Sequence, residues 1–181
     1  MIITLGGTPG SGKSTVGKLL AKKLEYKHYS NGDFMREMAE ERKISLLELS
    51  KMAEEDRGID EELDQRQIDL GMNEDDFVID SRLGYHFIPN SVKVFLDADF
   101  EERARRIMAD TIRKETNVNL ESTRENISMR EASEKKRYKE YYNQNPWDKK
   151  NYDLVVDTTS ISPEEVVDKI IHYIEKLNKG K

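Results

Sequence analysis

Short apolar strands alternating with amphipathic helices predict an α/β fold in which a five-stranded parallel sheet lies between two helical layers. Three observations point there. Ile2-Ile3-Thr4-Leu5 and Phe77-Val78-Ile79 are compact apolar runs, the signature of buried strands. Val16, Leu19, Leu20 and Leu24 recur at helical spacing soon after the first run and form one apolar stripe. Capping signatures then open further helices along the chain.

Residues 1–5 form the first strand, a Gly-rich turn follows, and the first helix starts near Ser14. Residues 26–30 read as a short second strand. A helical region comes next in pieces. Residues 33–41 are the first, and Ser45-Leu46-Leu47-Glu48 is a capping box for the second. Gly58 punctuates, and Asp60 is expected to cap a third piece running to about Leu70. Residues 77–80 and 92–96 are the next strands. Asp99-Phe100-Glu101-Glu102 has capping-box chemistry with an acid at the cap, and starts a helix carrying Arg103, Arg105 and Arg106. Residues 110–123 are polar and nearly free of apolar periodicity, a composition suited to a mobile lid. A long charged helix is expected over 123–142, ended by Pro146-Trp147. Residues 154–157 form the last strand, and Ser162-Pro163-Glu164-Glu165 caps the final helix. In a parallel sheet ligands sit at the carboxyl ends of strands, near the switch in strand order. The candidates are therefore residues 7–14, 30–36, 81–82, 97 and 158–160.

Composition narrows the function classes. The 181 residues suit a single domain, 36% hydrophobic and 36% charged, so the core is lean and the surface heavily charged. Lys and Arg number 30 against 36 Asp and Glu, a net charge of −6, with both signs intermingled. A general nucleic-acid binder would carry a basic face, so no nucleic-acid partner is expected, and positive charge for an anionic ligand must be gathered locally. The lack of cysteine excludes disulfides, zinc–thiolate sites and thiol catalysis. No apolar run approaches the roughly 18 residues of a membrane span, and residues 1–5 show no basic leader. A cytoplasmic protein with no membrane partner is expected. His28, His86 and His172 lack metal-ligand spacing and read as surface or core fillers.

Gly7-Thr8-Pro9-Gly10-Ser11-Gly12-Lys13-Ser14 matches G-x-x-x-x-G-K-S/T between a strand and a helix, the context that this phosphate-binding motif requires. Gly10 and Gly12 permit backbone angles that other residues resist, so successive N–H groups can converge on phosphate oxygens, and the following helix adds its positive end. Lys13 can reach the β- and γ-phosphates, and the Ser14 hydroxyl can ligate magnesium. Thr15 completes the nucleotide-contacting stretch. The guanine-reading N-K-x-D of a GTPase does not occur, and a motor ATPase would need more chain. Small size with arginines after strands favours phosphoryl transfer to a small acceptor.

Longer blocks then resemble one family. They include Ser30-Asn31-Gly32-Asp33-Phe34-Met35-Arg36, Asp64-Gln65-Arg66-Gln67 and Ser81-Arg82-Leu83. Further along come Arg130-Glu131-Ala132-Ser133-Glu134-Lys135-Lys136-Arg137-Tyr138 and Tyr152-Asp153-Leu154-Val155-Val156-Asp157-Thr158. Over nearly its whole length the chain resembles the archaeal-type cytidylate kinases, within the nucleoside monophosphate kinase family of P-loop kinases. The resemblance implies the three-layer α/β/α fold of P-loop NTPases, with acceptor-binding helices over about 31–70 and a lid over about 106–130. It implies that Arg36 and Arg82 grip the acceptor's phosphate, with Ser30 and Asp33 beside the acceptor, and that Arg106 packs against the donor nucleotide. Guanidinium forks suit phosphate oxygens because they bind at two points and stay charged.

Arg130, Glu134, Arg137 and Tyr141 share one helix face. That face is either a salt-bridged surface or, as the resemblance implies, a set in which Arg130 and Arg137 approach phosphates while Glu134 orients them. Asp110 stands where relatives commonly carry a lid arginine, for which Arg113 is a shifted substitute. Asp80 is either a strand-end cap or a magnesium-associated carboxylate acting through water.

The expected reaction is ATP + (d)CMP ⇌ ADP + (d)CDP with Mg2+, run by a monomer on small-molecule substrates. Lys13, Arg36, Arg82, Arg130 and Arg137 would surround the transferring group. The alternatives are another acceptor, such as AMP or a hydroxyl compound with Asp33 as base, or a nucleotide-switched binding module.

Overall fold

A computed structural model describes residues 1–110 and 119–179. Its strands are β1 (Ile2–Gly7), β2 (Lys27–Ser30), β3 (Phe77–Asp80), β4 (Val92–Asp97) and β5 (Leu154–Asp157). They form one sheet in the order β2-β3-β1-β4-β5, with every neighbouring pair parallel. The helices are α1 (Lys13–Leu24), α2 (Asn31–Glu41), α3 (Leu46–Glu55), α4 (Arg57–Asn73), α5 (Gly84–Phe87), α6 (Phe100–Ala109), α7 (Leu120–Tyr142) and α8 (Pro163–Lys179). Connections from β1 and β4 run to opposite sides, which opens a crevice at their carboxyl ends.

Alternation along the strands builds the layers. Ile3, Leu5, Val78, Val94 and Leu96 face α1 and α8 through Val16, Leu20, Val166 and Ile170. Phe77 and Ile79 point to the other face, where they meet Ile88 and Leu70. Helices α2, α3 and α4 hold a separate core of Met38, Leu49, Ala53, Ile59 and Leu63. A fourth cluster, around Leu83, Tyr85, Tyr138 and Tyr152, packs α7 against the sheet. Among the described residues no helix is long and apolar enough to cross a membrane.

Two expectations about helix caps need correction. Asp60 is not a cap: Asp56, in extended backbone, accepts from Gly58 N at 2.9 Å and opens α4, so Asp60 falls inside the helix and is buried. A cap must stand outside the helix it opens, and Asp56 is the acid in that position. At α6, Asp99 accepts from the backbone of Glu101 and Glu102, but the reciprocal half of the box is missing. Asp99 N donates instead to Thr159 Oγ1 at 2.8 Å, while Arg105 and Arg106 take Glu102. The box at Ser45 forms as read, and the cap at Ser162 proves to be a reciprocal box with Glu165. Of the expected lid segment at 110–123, residues 111–118, Arg113 included, lie outside the described residues, and 120–123 are the first turn of α7. The single-turn helix α5 and a 3₁₀ turn at Lys149–Asn151 carried no periodic signal.

Candidate active site

The loop after β1 is shaped by backbone. At Gly7 a Cβ would lie 2.1 Å from the carbonyl oxygen of Leu96, its partner in register, so only glycine lets β1 pass there. Gly10 and Gly12 adopt φ of 80° and 90°, turning the chain back on itself. Helix α1 starts at Lys13 with Gly12 as a cap lacking a side chain, so its positive end opens toward the loop. Ser11 Oγ donates to Thr8 O at 2.8 Å, and Thr158 Oγ1, after β5, donates to Ser11 O at 3.0 Å. Lys13 Nζ donates to the carbonyls of Gly7 and Thr8 at 3.0 and 2.8 Å. Burial, reinforced by Arg82, pushes this ammonium well below the usual lysine range, while Asp80 and Glu134 pull the other way.

Beside the loop stands a buried ion network. Arg82, just after β3, donates from Nε to Glu134 at 2.8 Å and from a terminal nitrogen to Gly7 O at 2.8 Å. Glu134, on α7, also accepts from Arg130 Nε at 2.9 Å. Burial would raise the Glu134 carboxyl, but Arg82 and Arg130 outweigh it and hold it near a pKa of about 2. Lys13, Arg82, Glu134 and Arg130 therefore form one charged chain across the carboxyl end of the sheet.

A second group of charges lies where α4 meets α7. Arg137 Nε approaches Asp60 Oδ2 to 3.3 Å, and its guanidinium lies over the Tyr138 ring. Burial raises Asp60 against the opposing pull of Arg137. Burial also raises Asp64 to about 7, although the Tyr142 hydroxyl donates to it. At the ends of β2 and β3, Ser30 Oγ donates to Asp80 Oδ1 at 3.0 Å, and His28 Nε2 lies 3.2 Å from Asp80 Oδ2.

The remaining candidates are spread around this centre. Arg36 and Asp33 pair with each other on the exposed side of α2, and among the described contacts Arg36 does not join the Glu134 chain. Arg106 holds Glu102, Thr158 and Thr159 where β5 ends, close to the loop. Pro9 O accepts from Arg103 at 3.4 Å, Thr8 is buried with its hydroxyl unpartnered, and Thr15 is exposed.

Sequence reasoning missed Arg103, which is buried and donates to Glu131 at 2.6 Å, tying the loop to α7. Its place four residues before Ile107, on the buried face of α6, was the available signal. It also missed Asp60 and Asp64 as site groups. Their phase with Leu63 and Gln67 puts all four on one face of α4. His28, read as a filler, stands against Asp80, and Gly17 makes room for it: a Cβ there would lie 2.8 Å from His28 Nε2.

Known proteins share this sequence pattern and this architecture. The model of the cytidylate kinase-like family matches residues 2–160. A cytidylate kinase of Natronomonas pharaonis is 43% identical over 92% of this chain and 85% of its own. A cytidylate kinase of Methanocaldococcus jannaschii is 39% identical over 99% and 100% of the two chains. In three dimensions, the shikimate kinase of Aquifex aeolicus superposes with a TM-score of 0.62 over all of both chains at 21% identity, a likeness of fold.

Proposed function

The chain belongs to the cytidylate kinase-like family, and from that premise we propose that it transfers the γ-phosphoryl group of Mg-ATP to CMP or dCMP, giving ADP and (d)CDP. The observation that carries the proposal is the charged chain Lys13–Arg82–Glu134–Arg130 beside a glycine-shaped phosphate loop. It puts cations between the donor loop and the end of β3, where an acceptor phosphate would enter.

In this reading residues 7–15, through the backbone N–H groups that follow Pro9, and the Lys13 ammonium hold the β- and γ-phosphates. Arg106 flanks the donor base. Arg82, Arg130 and Arg137 neutralise the transferring and acceptor phosphates, exchanging carboxylate partners for phosphate oxygens, and Arg36 swings in from Asp33. Ser30 and Asp33 line the acceptor entrance. The Ser14 hydroxyl and, through water, Asp80 suit a magnesium ion, since Asp80 Oδ2 is buried without a hydrogen-bond partner. Magnesium bound there would draw charge from the β- and γ-phosphate oxygens. No general base is required, because the acceptor phosphate oxygen is already ionised and positioning with charge neutralisation carries the catalysis. The reading includes a lid within about 106–130 that excludes water, acceptor-binding helices within about 31–70, and a cytoplasmic monomer acting on small molecules.

An acceptor panel tests it: ADP release from Mg-ATP with CMP, dCMP, UMP, AMP and shikimate. Turnover should be fastest with CMP or dCMP. Turnover with shikimate alone would replace this reading with a hydroxyl-directed one. ATP hydrolysis that no acceptor stimulates would favour a nucleotide switch.

A further inference from the structure

Helix α4, the end of β3, Asn31 of α2 and Tyr138 of α7 line a narrow cleft next to Arg82, so tight that a ring entering it must part α4 from α7. Leu63, Leu83 and Tyr138 give it apolar walls, the surroundings that a flat ring prefers to a sugar. Its polar groups divide into two sets. Ser81, Gln67 and Arg82 direct donors to the protein itself: Ser81 Oγ donates to Gln67 Oε1 at 2.5 Å, Gln67 Nε2 to Leu63 O at 3.4 Å, and Arg82 to Glu134 and Gly7. Asp64 is served by Tyr142. Two acceptors are not served. Asp60 Oδ2, on a residue only 7% exposed, and Asn31 Oδ1 are buried without a hydrogen-bond donor. Arg137 comes within 3.3 Å of Asp60 Oδ2 but is not aligned to donate. Buried acceptors of this kind call for donors, and in this cleft a ligand is placed to bring them.

We propose that Asp60, together with Asn31, selects the acceptor base by accepting hydrogen bonds from the exocyclic 4-amino group of cytosine, held between Leu63, Leu83 and Tyr138. The inference rests on the CMP-directed reading above and deepens it. At position 4 cytosine presents two N–H donors, whereas uracil presents a carbonyl oxygen. An amino group satisfies both unserved acceptors. A carbonyl would set a third acceptor against them, one of the two being a carboxylate, and would be rejected. An amino group on Asp60 also leaves Arg137 for phosphate oxygens, so that recognising the base and gripping the phosphate reinforce each other.

The test compares kcat/KM for CMP, dCMP and UMP in the full-length wild type and in Asp60→Asn. An asparagine amide can donate to a carbonyl, so the CMP:UMP preference should fall by about 100-fold or more. If Asp60→Asn is folded but inactive, CMP and UMP binding by calorimetry replaces turnover: similar affinities uphold the proposal, and a retained CMP preference overturns it. If it does not fold, Asn31→Ala carries the test, with a fall of about tenfold expected and an unchanged ratio overturning the proposal. A change in CMP:dCMP without a change in CMP:UMP would assign the acceptors to ribose and overturn base reading. A wild type that phosphorylates neither CMP nor UMP overturns the kinase reading itself. A CMP-selective wild type whose selectivity survives substitution overturns only this inference.

Discussion

The glycine-shaped loop after β1 and the cleft beside Arg82 lie side by side, yet different forces hold them. The loop is a backbone object: Gly7, Gly10 and Gly12 take positive φ, and hydrogen bonds among Thr8, Ser11 and Thr158 fasten it. The cleft is a side-chain object, drawn from the end of β3, from α4 and from α7, and joined by Arg82–Glu134, Arg130–Glu134 and Arg137–Asp60. A backbone site can lose a functional side chain and keep its shape. A charge-held site loses shape and function together, since each ion left behind is a buried, unpaired charge.

The largest effect should therefore come from Glu134. Glu134→Ala strips Arg82 of its carboxylate where both side chains are nearly buried, at 12% and 10% exposure, and should cost about 3–5 kcal/mol in urea unfolding. The same contact sets an acid limb. The Glu134 carboxyl sits at about 2 in the folded chain, below its value of 4.5 when unperturbed. Its contribution of about 3 kcal/mol is therefore complete above pH 4.5 and lost as pH falls toward 2. Asp64 has the opposite slope. Raised from 3.8 to about 7, it costs stability as pH climbs through that interval. Unfolding measured from pH 3 to 8 should show Glu134→Gln flattening the acid limb and Asp64→Asn removing the decline toward neutrality. If Glu134→Ala cost less than about 1 kcal/mol, the cleft would not be held by charge.

Lys13 is the counterpart in the loop. Removing a cation aimed at developing phosphate charge should lower kcat by about 100- to 1000-fold. Stability should not fall with it. Burial and Arg82 make the Lys13 ammonium unfavourable in the folded chain, so Lys13→Ala should melt at the wild-type temperature or slightly above it. A clear drop in Tm would show that the loop, too, depends on a side chain, and the contrast between the two regions would disappear.

The same contrast explains what was legible in the sequence. The sequence places strands at 77–80 and 154–157 to the residue, because each carries a short apolar run in its own segment. The loop was equally local, eight consecutive residues whose glycines and lysine carry their own geometry. The cleft was legible only in part. Arg82 and Glu134 could be named from the family blocks, but that they meet at 2.8 Å depends on how α7 docks on the sheet. Asp60 reads as a cap because the sequence offers two acids, Asp56 and Asp60, around Gly58, and its burial depends on α7 opposite it rather than on its neighbours in sequence. Arg103 looks like Arg105 until α6 is packed, and then one is buried and the other exposed.

Ser30 lies on the seam between the two regions, and its loss should have the smallest effect. Its side chain is buried at the end of β2 and donates one hydrogen bond, to Asp80 Oδ1, where β2 and β3 run in register. Ser30→Ala removes that bond without leaving a cavity larger than a hydroxyl. Asp80 keeps His28 at 3.2 Å from its Oδ2, so an ionisable neighbour remains beside the buried carboxylate. The expected cost is about 1 kcal/mol in the urea midpoint, the net value of one hydrogen bond. If Asp80 acts on magnesium as proposed, a freed carboxylate should raise the Mg2+ concentration for half-maximal activity by a few-fold and leave the CMP:UMP preference untouched. A loss of several kcal/mol would mean that the seam is held by charge, as the cleft is. A changed base preference with unchanged Mg2+ dependence would assign Ser30 to the acceptor side and leave Asp80 as a strand-end contact.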